Sequence, residues 1–216
     1  MSDRATVHKV LEVLLAEPRS EVRLIAHLAK YVAANPQDHK ALLWYGDSLR
    51  LVGRCKEAIE LLTSQFDCVV NPSDKLAFAV RIAMALETTD RKQAEYWFSV
   101  GAELDWEASG WLWVLRGQNL AFLERFDEAI QCYTVALKSS DVDLDEAYRH
   151  MALAHRAKGD YAKAKEWLLR AKKLIPARDR RMIGEIQEVL DDLENAGRGK
   201  RPAAAVVAEY PGETRH

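Results

Sequence analysis

Four similar turns recur along the chain at nearly constant intervals, and this repetition constrains the fold more than any other feature of the sequence. The interval is about 35 residues, close to the length of a helix–turn–helix repeat. The turns lie at Gly53–Arg54, Thr89–Asp90, Glu124–Arg125 and Gly159–Asp160. The sequence therefore predicts successive helical hairpins that nest into one curved rod.

Small and large side chains alternate in register with these turns. At a fixed distance after each turn comes a small residue: Ala58, Ala94, Ala129 and Ala164. Four positions later comes a large apolar residue: Leu62, Phe98, Tyr133 and Leu168. A small residue usually returns three positions after that, at Gly101, Ala136 and Ala171, although Gln65 breaks the pattern. Antiparallel helices approach to about 8 Å only where one side chain is small and a large neighbour fills the adjacent hole.

The remaining patterns favour an all-α fold. Trp113, Gly117 and Leu120 are separated by steps of four and three, which places them on one face of a helix. No stretch alternates apolar and polar residues for long enough to indicate a strand. Apolar residues make up 49% of the chain, which is enough for a substantial core.

These residues resemble the tetratricopeptide repeat, whose pattern is W-x2-L-G-x2-Y, then A-x3-F, then P. The clearest copy contains Tyr148, Met151, Ala152, His155, Ala164, Leu168, Ala171 and Pro176. A second contains Trp113, Gly117, Leu120, Ala129, Tyr133 and Ala136, and a third contains Leu42, Tyr45, Gly46, Leu49, Ala58 and Leu62. The copy from Phe78 to Trp106 departs most, because Ile82 occupies a position expected to be small, and its helices are predicted to pack more loosely.

The resemblance implies a right-handed superhelix of helix hairpins, in which the first helix of each hairpin lines a concave groove. We predict a degenerate N-terminal helix pair over 1–36, four repeats over 38–178, a capping helix over 179–195 and a flexible tail over 196–216. The cap is expected because the last hairpin of an array needs a polar-faced helix over its apolar side.

The resemblance also implies a place for a ligand, since such grooves usually hold a peptide or a partner helix. The predicted groove residues are Leu43, Trp44, Leu76, Val80, Trp111, Leu115, Phe122, Arg149 and His150. Trp44 and Trp111 would be the anchors, and Arg149 could pair with a carboxylate of the partner. The alternative is that neighbouring repeats pack these side chains against each other.

Some proteins of this family grip a C-terminal carboxylate with a Lys/Asn/Arg clamp. The corresponding positions here include Leu43, Asp47 and Val80, whose side chains cannot donate a hydrogen bond to a carboxylate. Binding of that kind is not expected.

Other classes of function lack support in the sequence. No phosphate-binding loop or nucleophile elbow is present, and His150 and His155 are not spaced to hold a metal together, so we expect neither an enzyme nor a cofactor. The net charge of -2 does not favour nucleic acid, and the basic cluster from Arg170 to Arg181 is interpreted as a solvated face. No apolar run could span a membrane, and the three cysteines (Cys55, Cys68 and Cys132) are interpreted as buried or half-buried thiols, so we expect a cytoplasmic protein.

The sequence therefore predicts a scaffold or adaptor that binds another protein. Two narrower hypotheses stay open: a homo-oligomeric structural protein, which would bury the same apolar surface against its own copies, and a secretion or assembly chaperone that shields an apolar segment of a client.

Overall fold

The computed structural model describes residues 21–104 and 109–197, and side chains over 24–104 and 109–195. Within these residues it contains ten α-helices and no strand, which confirms the all-α prediction. The helices are α1 (Glu21–Ala34), α2 (His39–Leu51), α3 (Cys55–Phe66), α4 (Pro72–Leu86), α5 (Arg91–Leu104), α6 (Gly110–Phe122), α7 (Phe126–Ala136), α8 (Leu144–Ala157), α9 (Tyr161–Leu174) and α10 (Arg180–Gly197).

The chain forms two compact units. Unit 1, Met1–Glu107, contains α1 to α5, and unit 2, Ala108–His216, contains α6 to α10. Residues 1–20 of the predicted N-terminal pair, the repeat position at Trp106 and residues 198–216 of the predicted tail lie outside the described residues. Helix α10 itself extends two residues past its predicted end.

Three of the four recurring turns contain a residue in the left-handed backbone region. Gly53 has φ of 80°, Gly159 has φ of 79°, and Glu124 has φ of 60° without being glycine. This conformation reverses the chain directly after a helix and is adopted most readily by glycine. The turns therefore fix where the first helix of a hairpin ends and the second begins.

The small and large residues that alternate in the sequence contact each other where the paired helices meet. A Cβ atom added to Gly46 would lie 2.8 Å from the side chain of Leu62, and one added to Gly117 would lie 2.5 Å from the ring of Tyr133. Ile82 and Phe98, in the pair predicted to pack loosely, are both completely buried. The close approach in the hairpins of Gly46 and Gly117 thus depends on a missing side chain opposite a large one.

Helix α10 covers the apolar side of the last hairpin. Ile186, Leu190 and Leu193 are buried against Leu168 and Ile175 in one cluster. These residues recur at steps of three and four, so the opposite side of α10 is left to polar residues. A terminal helix of this kind closes the core of unit 2.

Candidate partner-binding faces

In unit 1, Trp44 is partly covered by its own fold. It lies on α2 and is half-buried, because Leu24 and Leu28 of α1 pack against it and Tyr45. The Lys40 ammonium lies 4.5 Å from the centroid of the Trp44 ring. Part of this indole therefore belongs to the packing between neighbouring helices.

The other predicted groove residues of unit 1 differ in accessibility. Leu43 of α2 and Leu76 of α4 are half-buried, whereas Val80 of α4 is only 3% exposed. Val80 is thus a core residue, and the accessible apolar surface here is formed by Leu43, Leu76 and the remaining edge of Trp44.

A charged network follows the same helices. Arg81 donates a hydrogen bond from Nε to the Asp47 carboxylate over 2.8 Å, and Arg50 Nε lies 3.8 Å from that carboxylate without a hydrogen bond of its own. Burial raises the pKa of Glu87 to about 7, although Arg91 and Arg50 oppose the shift. Asp47 is therefore engaged within the fold.

In unit 2, α6 carries an accessible apolar stripe. Trp111 is 44% exposed, Phe122 is 43% exposed, and Leu115 between them is half-buried. With Gln118 they follow steps of four, three and four, which keeps them on one side of the helix. The opposite side, with Gly117 and Leu120, is buried.

A hydrogen bond joins this stripe to α8. Gln118 Nε2 and His150 Nε2 are 2.7 Å apart, and the His150 ring stacks on Tyr133 with 5.8 Å between centroids. His150 is only 2% exposed. The Glu146 carboxylate lies 3.5 Å from His150 Nε2, and its hydrogen bond with His150 lowers the pKa of Glu146. His150 therefore holds α6 and α8 together and offers no accessible surface.

Two partly exposed arginines, Arg149 and Arg156, lie on α8. Arg149 Nε lies 3.5 Å from the Asp145 carboxylate but is buried without a hydrogen-bond acceptor. Burial, reinforced by Asp143, raises the pKa of Asp145 to about 6. Arg156, two turns further along, lies 3.7 Å from Asp192 of α10. Arg149 is thus paired with Asp145 within the fold, and about a fifth of its side chain (21%) is exposed.

The accessible stripe of α6 and the arginines of α8 lie on two helices of unit 2 that contact each other through Gln118 and His150. We use the name unit-2 face for the residues Trp111, Leu115, Gln118 and Phe122 of α6 together with Arg149 and Arg156 of α8. Sequence reasoning did not include Gln118 in the site, although it lies three residues after Leu115 and four before Phe122. Its partner His150 is on another helix, so only the fold reveals the hydrogen bond.

Other candidate chemistry is weaker. Among the described residues, no group of three His, Cys, Asp or Glu side chains is placed to hold a metal ion, and no described helix has both the length and the apolar character to cross a bilayer. In the basic cluster, Arg170 pairs with Glu166 and Lys172 with Gln187, both over 2.6 Å.

The cysteines are only partly as expected. Cys132 is buried and Cys55 is half-buried, but Cys68 is exposed, so the expectation was wrong for that residue. Cys68 lies in the turn after α3, outside the helical packing that covers the other two.

Comparison with known proteins shows which fold the chain shares. Residues 114–179 match the tetratricopeptide repeat family. A thermophilic tetratricopeptide repeat protein of Thermus thermophilus, TTC0263, has a similar structure: its TM-score is 0.67 at 18% identity, covering 87% of this chain and 99% of that one. MamA of Desulfovibrio magneticus RS-1, from residue 41 onward, has a TM-score of 0.66 at 14% identity, covering 78% of this chain and 92% of that one.

Residues 114–179 thus resemble the tetratricopeptide repeat family in sequence, and the chain shares the fold of solved tetratricopeptide repeat structures. At these identities the solved structures show the fold alone. None of the curated proteins compared with the chain matches it. A more particular function must therefore be argued from its own faces.

Proposed function

We propose that this protein is a scaffold or adaptor that binds a peptide or an amphipathic helix of another protein through the first helices of its repeats. Repeat folds of this type mediate protein–protein interaction in general, and the family match and the fold support that class here. In this proposal the unit-2 face is the principal contact, and Leu43, Trp44 and Leu76 of unit 1 add a second apolar surface.

The observation that carries the proposal is the exposure of Trp111 and Phe122 on one side of α6. Large aromatic side chains bury 150–250 Å² each when covered, and the exposed part of Trp111 corresponds to about 100 Å². Covering that area is worth about 2–3 kcal/mol at about 25 cal/mol per Å². An exposed indole whose surface is covered only when a partner binds is typical of an interface anchor.

The arginines would add orientation to this apolar contact. The side chains of Arg149 and Arg156 are 21% and 23% exposed, so an acidic side chain of the partner would pair with their accessible guanidinium groups. The unit-2 face therefore favours a partner segment with apolar residues followed by an acceptor group.

The test is a comparison of single substitutions with a defined ligand. Peptides selected from a display library on the full chain would be titrated against the wild type, Trp111→Ala and Trp44→Ala. We expect Trp111→Ala to weaken binding at least about 30-fold, which corresponds to 2 kcal/mol, and Trp44→Ala to weaken it less because that indole is already partly packed.

Tyr96→Ala is the matched control. Tyr96 is 61% exposed but lies on α5, a second helix of a hairpin, so its loss should leave peptide affinity unchanged. Circular dichroism would establish that each variant is folded. Equal affinity of Trp111→Ala and wild type would reject the unit-2 face as the binding surface. A dimer at every concentration in light scattering, weakened by Trp111→Ala, would instead favour the homo-oligomeric alternative.

A further inference from the structure

Arg149 of the unit-2 face is paired with an acidic residue of its own helix. Its Nε atom lies 3.5 Å from Oδ2 of Asp145, which precedes it by one helical turn on α8. The side chains of Arg149 and Asp145 are 21% and 22% exposed, so a partner can reach both members of the pair.

The contact between Arg149 and Asp145 is longer than those of the arginines that begin other hairpins' second helices. Arg54 donates to Glu57 from both Nε and Nη2 over 2.6 Å, and Arg125 donates to Glu128 from the same two atoms over 2.7 and 2.6 Å. Two parallel N–H···O bonds of this length make the strongest arginine–carboxylate pairs. Asp145 therefore holds Arg149 weakly, and a carboxylate with better geometry can take its place.

The position of Asp145 disfavours its negative charge. Burial raises the pKa of Asp145 to about 6, and the hydrogen bond to Asp143 and the charge of Asp143 reinforce the shift, although Arg149 opposes it. Glu146, on the same turn of α8, is instead engaged by His150, which lowers the pKa of Glu146. Asp145 is thus the acidic group of this turn that becomes neutral most easily.

On the helices packed against α8, several charged groups already have partners of their own. Arg116 of α6 lies over the Trp113 ring, Glu128 of α7 pairs with Arg125, and on α9 Lys163 pairs with Asp160, Arg170 with Glu166 and Lys172 with Gln187. Within the described residues, the charges that act on the Asp145 carboxyl are those of Asp143 and Arg149, both from its own segment of the chain.

We propose that Asp145 competes with the partner for Arg149, so that the unit-2 face selects a partner whose own carboxylate displaces Asp145. This inference rests on the proposed function, because it concerns how the same face is used. While Asp145 is ionised it neutralises Arg149 and repels an incoming carboxylate, and like charges brought together at an interface weaken binding strongly. Asp145 therefore sets how strongly acidic partners bind.

The experiment uses the full chain and a fluorescently labelled peptide selected by display on the Asp145→Asn variant. The probe is compared with the same peptide in which each Asp or Glu is replaced by its amide. At pH 7.5 we expect Asp145→Asn to bind the acidic peptide at least about fivefold more tightly than the wild type does in fluorescence anisotropy. Both chains should bind the amide peptide equally.

A second substitution tests whether the effect passes through Arg149. In an Arg149→Gln background, Asp145→Asn should leave the affinity for the acidic peptide unchanged, because the group for which the two carboxylates compete is gone. Glu188→Gln is the matched control: it removes the same charge at an exposed position of α10, outside the unit-2 face, and should have no effect. Circular dichroism would establish that every variant is folded.

The pH profile supplies a readout that a merely structural role of Asp145 would not change. The carboxyls of a peptide have a pKa of about 4, so they stay ionised at pH 5.5, where Asp145 is mostly neutral. The wild type should therefore bind the acidic peptide at least about threefold more tightly at pH 5.5 than at pH 7.5, and about 25-fold if only the neutral form of Asp145 allowed binding. Asp145→Asn should abolish this difference.

Four results would overturn the inference: a selection that yields no peptide whose affinity depends on an acidic residue, equal affinity of Asp145→Asn and the wild type for the acidic peptide, a gain that persists in the Arg149→Gln background, or the same gain from Glu188→Gln. Failure of the proposed function is separate, since it would appear as peptide affinity that is insensitive to Trp111→Ala.

Discussion

The contact between Gly117 and Tyr133 is the sharpest available test of how the hairpins are held together. A Cβ atom on residue 117 would lie 2.5, 2.8 and 2.9 Å from three ring carbons of Tyr133. Carbon atoms pack best at about 3.5–4.0 Å, so the ring would have to move by about 1 Å. Tyr133 is completely buried and stacked on His150, so the ring has no free space to enter.

The magnitude follows from two opposing effects of Gly117→Ala. Alanine in a helix interior is more favourable than glycine by about 1 kcal/mol. Overpacking of a well-packed core costs about 1–3 kcal/mol, and a rigid buried ring belongs at the upper end of that range. We therefore expect Gly117→Ala to lower the free energy of unfolding by about 1–2 kcal/mol.

Gly184→Ala supplies the reference for the helix effect alone. Gly184 lies within α10, and an added Cβ meets no atom within 4 Å. It should raise stability by about 0.5–1 kcal/mol. Urea unfolding followed by circular dichroism would measure both variants.

A double variant tests the assignment to the ring. Tyr133→Val removes the Cδ1, Cε1 and Cζ atoms that clash, so Gly117→Ala should cost less in the Tyr133→Val background than in the wild type, with a coupling of at least about 0.5 kcal/mol. If Gly117→Ala proves as stabilising as Gly184→Ala, the close approach of the two helices is not what the geometry implies.

Three further variants test electrostatic and hydrogen-bonding features by the same unfolding assay. Because the pKa of Glu87 is raised in the native state, the folded protein binds this proton more tightly than the unfolded chain does. The free energy of unfolding should therefore fall by up to about 3 kcal/mol as pH rises from about 4.5 to about 7. Glu87→Gln should remove that fall, and the control Glu103→Gln, at an exposed position, should keep it. Burial lowers the pKa of His155, so the native state resists its protonation and the free energy of unfolding should fall as pH drops below about 6.5. His155→Leu should therefore raise the free energy of unfolding more at pH 5 than at pH 8. An equal increase at both pH values would contradict this. Gln118→Ala should cost about 1 kcal/mol by removing the hydrogen bond to His150, and no loss would show that this bond does not contribute.

Much of the fold follows from residues that are close in sequence. The turns, the helix lengths and the pairing of Gly117 with Tyr133 depend on spacings within one hairpin, so the periodic pattern predicts them well. The loose packing expected around Ile82 did not follow, because Ile82 is itself completely buried. Spacing identifies which side of a helix faces its partner, but it does not reveal whether a larger residue can be accommodated there.

The candidate site was less predictable, because a first helix meets neighbours on more than one side. Trp44 and Trp111 have similar sequence contexts, yet Leu24 and Leu28 of the preceding helix cover part of Trp44. His150 follows Arg149 directly, but a rotation of about 100° along the helix turns it toward Tyr133 and Gln118.

The same geometry decides where binding energy can come from. A side chain that already packs against a neighbouring helix loses no further solvent contact when a partner arrives, so Val80 and His150 can orient a face without contributing to its affinity. Trp111 and Phe122 still have surface to bury, and part of the Arg149 side chain (21%) is exposed. Affinity on the unit-2 face should therefore depend on Trp111, Phe122 and Arg149, and Val80→Ala should lower stability while leaving the affinity of a folded chain unchanged.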